Sequence, residues 1–238
     1  MWIGYDDTSL IFEVEFTETQ KQNTLLRFFC DVFLHFERGA HSGAYRAGAG
    51  CAAAQALQEG PDLSWPVIRS IDEASCRSAS PLIVNSEMVR AEMFEHYGID
   101  PARIRLVRNG VDTARFTPGP KAEHPTVVFV GANPSRKGLK TALSALRLLP
   151  GVRLDVVGSV GRRGPRWAAQ VGVPDRVRFH GNLACPATVM SRAHAMILPT
   201  RYDASANVCL EAMGHPRSLS TKGSRETVAI GYVRTGGL

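Results

Sequence analysis

Two acidic side chains, Asp203 and Glu211, stand with seven residues between them in the stretch Thr200-Arg201-Tyr202-Asp203-Ala204-Ser205-Ala206-Asn207-Val208-Cys209-Leu210-Glu211-Ala212-Met213. An apolar run at 195–199 precedes the first, and the second lies inside a helix-like run at 207–213. The pattern predicts strand, short loop, helix, with Asp203 at the carboxyl end of a strand and Glu211 about one turn into the helix. Ligands of open α/β sheets bind at that end of the strands, and the exposed N–H groups of a helix start favour an anion. Ionised carboxylates accept hydrogen bonds from hydroxyl groups. A sugar joined to a phosphate offers both hydroxyls and negative charge. The competing reading of the same residues is a surface helix with an exposed Glu, preceded by a loop Asp. Two cations, Arg136 and Lys137, follow another apolar run at 126–131 and precede a helix-like segment. Their charges and the helix N-terminus would converge on a diphosphate; the alternative is a solvated loop.

These residues need a scaffold, and the sequence supplies one. From residue 125 onward, strand-like and helix-like segments alternate. Residues 126–131 form a nearly continuous apolar run ending in Gly131, the signature of a buried parallel strand. Residues 138–149 predict a helix, with Leu139, Leu143, Leu146 and Leu149 on one stripe. Further strands are predicted at 153–158, 177–180 and 195–198, with helices at 167–171, 187–192 and 206–213. Repeated βα units imply a parallel sheet covered by helices. Phe116 to His124 is Pro-rich and polar and reads as a linker. The expected organisation is therefore a first domain at 1–115, a linker at 116–124, a second domain at 125–214 and an atypical tail at 215–238. In the first domain, strands are predicted at 10–16, 32–36, 82–85 and 104–107, and helices at 20–29, 52–57 and 87–97.

Composition removes several classes. At 238 residues and 44% hydrophobic, the chain can hold one large or two small domains. The net charge of +6, from 28 basic and 22 acidic residues, suits an anionic ligand, nucleic acid or an anionic membrane surface. The densest basic cluster, Arg162-Arg163-Gly164-Pro165-Arg166, has no interleaved aromatic residue and reads as a solvated loop, so no nucleic-acid partner is expected. Five cysteines form no C-x-x-C pair, and seven histidines show no metal-ligand spacing. A reducing, cytoplasmic compartment and no metal are the expectation. No signal peptide and no run long enough to span a bilayer is visible. Gly48-Ala49-Gly50-Cys51-Ala52-Ala53 matches G-x-G-x-x-A, with Asp72 about twenty residues on, as in a dinucleotide fingerprint. That motif must follow a strand, and the polar run at 41–46 is not expected to be a buried one.

Asp203 and Glu211 resemble the E-x7-E signature of retaining glycosyltransferases of the two-domain GT-B type, in glycosyltransferase family four, with Asp203 standing where that family usually has Glu. The resemblance extends to Pro81-Leu82-Ile83-Val84-Asn85-Ser86-Glu87-Met88-Val89, similar to a strand followed by "S-x-x-V". It includes Arg108-Asn109-Gly110-Val111-Asp112, similar to the "N-G-V-D" turn. Phe129-Val130-Gly131 followed by Arg136-Lys137-Gly138 resembles the phosphate-contacting loop, and Tyr45-Arg46-Ala47-Gly48 resembles the lipopolysaccharide core glucosyltransferase branch. The resemblance implies an α/β, GT-B fold of Rossmann-like parallel sheets. It implies transfer of a hexose, with retention, from a nucleoside-diphosphate sugar to a hydroxyl of a glycan or lipid-linked acceptor, such as lipopolysaccharide core. No cofactor is implied beyond the donor itself. Peripheral contact with the inner face of an anionic membrane is a further expectation.

The same resemblance assigns roles. Arg136 and Lys137 would contact the donor diphosphate and stabilise the leaving nucleoside diphosphate. Asp203 would hold donor-sugar hydroxyls, Glu211 the ribose, and Gly131 with the backbone near Ala206, Asn207 and Val208 the rest of the donor. The sequence also departs from the pattern. Ala49 and Ala52 stand where the glucosyltransferase branch carries Asp and His beside the acceptor cleft. The first domain is short, its opening strand and glycine-rich loop are not recognisable, and the polar run at 217–225 cannot form a central strand without burying unpaired polar groups. A truncated first domain plus most of a donor-binding second domain is thus expected, with donor bound weakly and no sugar transferred by the chain as it stands. The alternative reading is a non-catalytic remnant that binds nucleotide sugar.

Overall fold

The computed structural model describes residues 33–39, 43–60, 62–213 and 228–230. They form two compact units, one running to Arg108 and the other beginning at Asn109. The strand and helix expected at 10–16 and 20–29 lie outside the described residues.

The first unit is built on four parallel strands in the order β1-β2-β3-β4. These are β1 (Leu34–His35), β2 (Ala44–Arg46), β3 (Leu82–Val84) and β4 (Ile104–Leu106). Helices α1 (Ala52–Glu59), α2 (Trp65–Ser78) and α3 (Glu87–Tyr97) connect and cover them. Helix α3 carries its own boundaries: the Ser86 hydroxyl accepts from Val89 N–H at 3.2 Å, and Gly98 ends the helix in the left-handed region at φ 63°. The expectation that 41–46 holds no buried strand is corrected. Tyr45, at 1% exposure, is among the most deeply buried side chains, but the strand is too short to show alternation beside polar His41 and Ser42. The G-x-G-x-x-A segment therefore does follow a strand and open a helix.

Asp72 nevertheless has another task. It lies in α2, fully buried, where one carboxylate oxygen accepts from Ala52 N–H at 2.8 Å and from the Tyr97 hydroxyl at 2.8 Å. The other accepts from Arg38 Nε at 2.7 Å. Asp72 thus supplies the N-terminal cap of α1, whose Cys51 makes no side-chain cap bond. Burial, and then the Asp72 charge, push the Tyr97 phenol far above its ordinary pKa. Helix α2 itself escaped the sequence reading because its polarity is inverted: Val67 and Ile71 face solvent while Asp72, Ser75 and Cys76 are buried.

The second unit is a five-stranded parallel sheet in the order β7-β6-β5-β8-β9. Its strands are β5 (Thr126–Val130), β6 (Arg153–Val157), β7 (Val177–Gly181), β8 (Ala195–Ile197) and β9 (Val228–Ile230). Helices α4 (Leu139–Arg147), α5 (Arg163–Val171), α6 (Ala187–Arg192) and α7 (Asn207–Met213) follow β5, β6, β7 and β8 in turn. Val128, Phe129, Leu143, Leu154, Val156 and Met196 lie at the centre of the core. The α4 stripe buries Leu139, Leu143 and Leu146, while Leu149 falls past the helix end and is exposed.

Three expectations differ from this unit. The Arg162–Arg166 cluster is not a loop but the entry to α5, where Pro165 is tolerated because first-turn N–H groups have no partner to lose. The stretch read as a linker at 116–124 is packed on the second unit. Phe116 is 5% exposed in its core, Ala122 N–H donates to Arg192 O at 3.0 Å, and Lys121 Nζ donates to Ala193 O at 2.7 Å. Nor does the sheet stop at β8: within the tail, β9 pairs in parallel with it, Ala195 opposite Val228 and Ile197 opposite Ile230. That apolar triplet lies beyond the charged run at 217–225, which hid it. Among the described residues, no helix is long and apolar enough to cross a membrane.

Asp72→Ala would leave the Arg38 charge and the Tyr97 hydroxyl facing a void. We expect it to cost about 3–5 kcal/mol, the scale of a broken buried pair, against about 1 kcal/mol for Tyr97→Phe. Urea unfolding of the two variants measures the difference.

Candidate functional site

Strand β5 ends at Val130, and the chain turns through Gly131 toward α4. Asn133 shapes this turn: its side-chain oxygen accepts from Arg136 N–H at 3.1 Å and its carbonyl from Lys137 N–H at 2.9 Å. Gly138 then enters α4 in the left-handed region, at φ 79°. A Cβ here would lie 1.9 Å from the Pro199 carbonyl oxygen, so only glycine lets the two loops touch. Gly131 is needed for space: a Cβ would sit 3.1 Å from Lys137 Cγ, whose stem crosses over it.

The loop after β8 comes from the neighbouring strand, since Val127 pairs with Ala195 and Val128 with Met196. It is tied to the β5 loop through backbone. Arg201 N–H donates to Arg136 O at 3.0 Å, and the Thr200 hydroxyl lies 3.2 Å from the same carbonyl. Arg136 answers with a guanidinium bond to Tyr202 O at 3.0 Å. Within this frame the Lys137 ammonium meets Asp203 Oδ2 as an ion pair, the two side chains being only 16% and 11% exposed. The structure thus brings together three of the residues singled out from sequence: Arg136, Lys137 and Asp203.

Glu211 stands apart from that pair. It is half-buried in α7, and among the described residues its Oε2 is sealed from solvent without a hydrogen-bond partner. Burial raises its carboxyl above the ordinary glutamate range, and the nearby Arg115 charge opposes the shift. Between Asp203 and Glu211, burial and then the Asp203 charge push the Cys209 thiol up to about 11. Ala206 is buried at the helix entry, and the first N–H groups of α7, at Ala206, Asn207 and Val208, have no intrahelical acceptor.

Two residues without an assigned role in the sequence reading also belong here. The Asn109 side-chain amide donates to Asn207 Oδ1, joining the N-G-V-D turn to the start of α7. Asp112 Oδ1 accepts from the N–H groups of Ala114 and Arg115, at 3.0 and 3.1 Å. It thereby sets Arg115, whose guanidinium donates to Cys185 Sγ at 3.1 Å and to Ala184 O at 3.3 Å. The N-G-V-D motif was the available signal, but its partners lie far along the chain. Chemically, the arrangement offers a cation already paired with an acid, a second cation beside it, free helix-entry N–H groups and an unmatched carboxyl. A ligand with both negative charge and hydroxyl groups complements all four. Among the described residues, no group of three or more His, Cys, Asp or Glu side chains is placed to hold a metal ion.

A family model described as Glycosyl transferases group 1 matches residues 124–228, and one described as Glycosyltransferase Family 4 matches residues 39–115. The matches take in both units. The fold is that of the GT-B glycosyltransferases. This chain is 31% identical over 183 residues to the D-inositol 3-phosphate glycosyltransferase of Mycobacterium bovis (strain BCG / Pasteur 1173P2), an alignment covering 67% of this chain and 37% of that protein. It spans about a third of the length of the curated relatives it matches. Its fold is similar to that of WaaG, a glycosyltransferase involved in lipopolysaccharide biosynthesis, with a TM-score of 0.71 at 20% identity, over 90% of this chain and 67% of that one. It is equally similar to Anabaena Alr3699/HepE, solved in complex with UDP and glucose, with a TM-score of 0.71 at 16% identity over the same shares of each chain.

The raised Glu211 carboxyl fixes a pH dependence. A carboxyl whose folded pKa lies above its unfolded value binds more protons when folded. Its contribution is most favourable below the ordinary glutamate range and is lost as pH rises through the folded value. We therefore expect Glu211→Gln to melt at or above the wild-type temperature at neutral pH and to show a flatter decline in stability from about pH 4 upward. Thermal unfolding across a pH series checks this.

Proposed function

We propose that the second unit binds a nucleoside-diphosphate sugar and serves the transfer of its hexose, with retention, to a hydroxyl of a glycan or lipid-linked acceptor. The observation that carries this reading is the Lys137–Asp203 pair, held between adjacent βα loops at the carboxyl ends of β5 and β8. An ammonium there meets phosphate oxygen, and Asp203 keeps Oδ1 for a sugar hydroxyl while Oδ2 orients the lysine. When the bond from the sugar's anomeric carbon to the diphosphate breaks, the electron pair leaves on a phosphate oxygen. Lys137 and Arg136 offset that charge. Gly131 lets the lysine stem lie flat, the N–H groups at Ala206, Asn207 and Val208 take further phosphate oxygens, and the unmatched Glu211 carboxyl receives the ribose hydroxyls. Asp in place of Glu at 203 shortens the grip on the sugar by one methylene.

Support for the donor class comes from the match to Glycosyl transferases group 1 and from the UDP and glucose of the Anabaena protein. For the acceptor, the similar proteins diverge: one relative is a D-inositol 3-phosphate glycosyltransferase, and one structural neighbour is involved in lipopolysaccharide biosynthesis. Tyr45-Arg46-Ala47-Gly48 favours the lipopolysaccharide core. The net charge of +6 favours peripheral contact with an anionic membrane at its inner face. A second reading, donor binding without transfer, is favoured by Ala49 and Ala52. Neither side chain has a polar group, and Ala52 N–H is already committed to Asp72.

Lys137→Ala should weaken UDP by about 1.5–3 kcal/mol, the worth of a charge-assisted bond, and leave uridine nearly unchanged. Calorimetric titration of both ligands decides it, and equal losses would sink the phosphate assignment. Glu211→Gln should weaken UDP but not its 2′,3′-dideoxy analogue. An identical loss with both would return Glu211 to a structural role. Transfer of radiolabel from a panel of nucleotide sugars to deglucosylated lipopolysaccharide core separates the two readings, since a remnant turns over none.

A further inference from the structure

At the amino ends of β5, β6 and β7, opposite the end that carries Lys137 and Asp203, the second unit has a cavity of about 470 Å³ between the sheet and α6. Its wall is unusual for a parallel strand pair, which is ordinarily apolar on both faces. Leu154 and Val156 turn into the core, but Arg153 and Asp155 of β6 and Arg178 and His180 of β7 line the cavity, and α6 adds Arg192 from across it. Asp155 lies opposite Arg178 in the strand register, yet its carboxylate is taken by His180 Nε2 at 2.8 Å. Arg176 is held against the carbonyl of Leu149 at 2.7 Å. That leaves Arg153, Arg178 and Arg192, all exposed. Among the described residues, no hydrogen bond or ion pair holds any of the three guanidinium groups. Glu123 and Asp175 are the other carboxylates in the wall, so four arginines face three acids, one of which is already engaged.

We propose that this cavity is a second anion site, separate from the donor cleft, that takes a small molecule bearing a phosphate dianion. Guanidinium groups bind phosphate through paired N–H bonds, and three arginines, from two strands and a helix, line this cavity. The volume is in the range that admits a small organic phosphate. The local excess of positive charge is too small to hold an extended polyanion such as nucleic acid, and it suits a single small anion.

Inorganic phosphate and phenyl phosphate are the probes, titrated by calorimetry into the full chain at fixed ionic strength, with sodium chloride as the competitor. Arg178→Gln with Arg192→Gln in one chain changes only exposed side chains, and its melting curve reports whether the fold is kept. Lys137→Ala silences the phosphate contact of the donor cleft. The expected result is one phosphate site that survives Lys137→Ala and weakens by roughly ten-fold or more in the double variant. Phenyl phosphate should follow inorganic phosphate. The proposal is overturned if the double variant, folded, binds phosphate as the wild type does. It is equally overturned if Lys137→Ala removes all binding, or if chloride displaces phosphate mole for mole. Should the double variant not fold, Arg192→Gln alone is read against the same outcomes.

Discussion

Strand β5 pairs with β6 on one side and β8 on the other, and the geometry of the candidate site rests on that double pairing. The chain lays strands outward in one direction to β7, then returns past β5 to lay them in the other. Loops leaving β5 and β8 therefore diverge to opposite faces, and a crevice opens between them. Backbone ties close it to a fixed width: the Arg136 carbonyl accepts from Arg201 N–H, and Gly138 rests on the Pro199 carbonyl. The Lys137–Asp203 pair inherits its position from these contacts. Two side chains on independent loops would lose more freedom on pairing than two whose backbones are already joined.

Much of this unit is legible in the sequence because buried parallel strands are written as continuous apolar runs, and because α4 carries its leucines on one stripe. The E-x7-E-like spacing of Asp203 and Glu211 and the Arg136-Lys137 pair pointed directly to the residues of the candidate site. What failed to show has physical causes. Asn109 and Asn207 are 98 residues apart, and no local pattern encodes their meeting. The residues 116–124 look like a linker by their prolines and charges, yet Phe116 fills the core and the Lys121 ammonium satisfies carbonyls near α6. Strand β9 is three residues long and stands behind a charged run. The Arg162–Arg166 cluster advertised solvation, and it is solvated, but as a helix entry.

In the first unit the mismatch concerns polarity. Sequence reasoning assumes that apolar residues mark the inner face, and α2 reverses this, burying Asp72 and leaving Val67 outside. The carboxylate that looked like the acid of a nucleotide fingerprint faces inward, where Arg38, Tyr97 and the start of α1 consume its lone pairs. A motif can thus sit in its proper strand-to-helix context while its acid is spent on groups of its own chain. The local pattern was right, and the direction of one side chain decided against it.

That inward carboxylate also makes one helix depend on another. Helix α3 closes its first turn with Ser86, three residues from the N–H it caps, so it can start as an isolated segment. Helix α1 cannot close its own: the acceptor for Ala52 N–H is 20 residues downstream, on another helix. Its cap is thereby a tertiary contact, made only once α2 has formed and docked. The eight-residue, alanine-rich α1 depends for its first turn on another helix, whereas α3 carries its cap within itself.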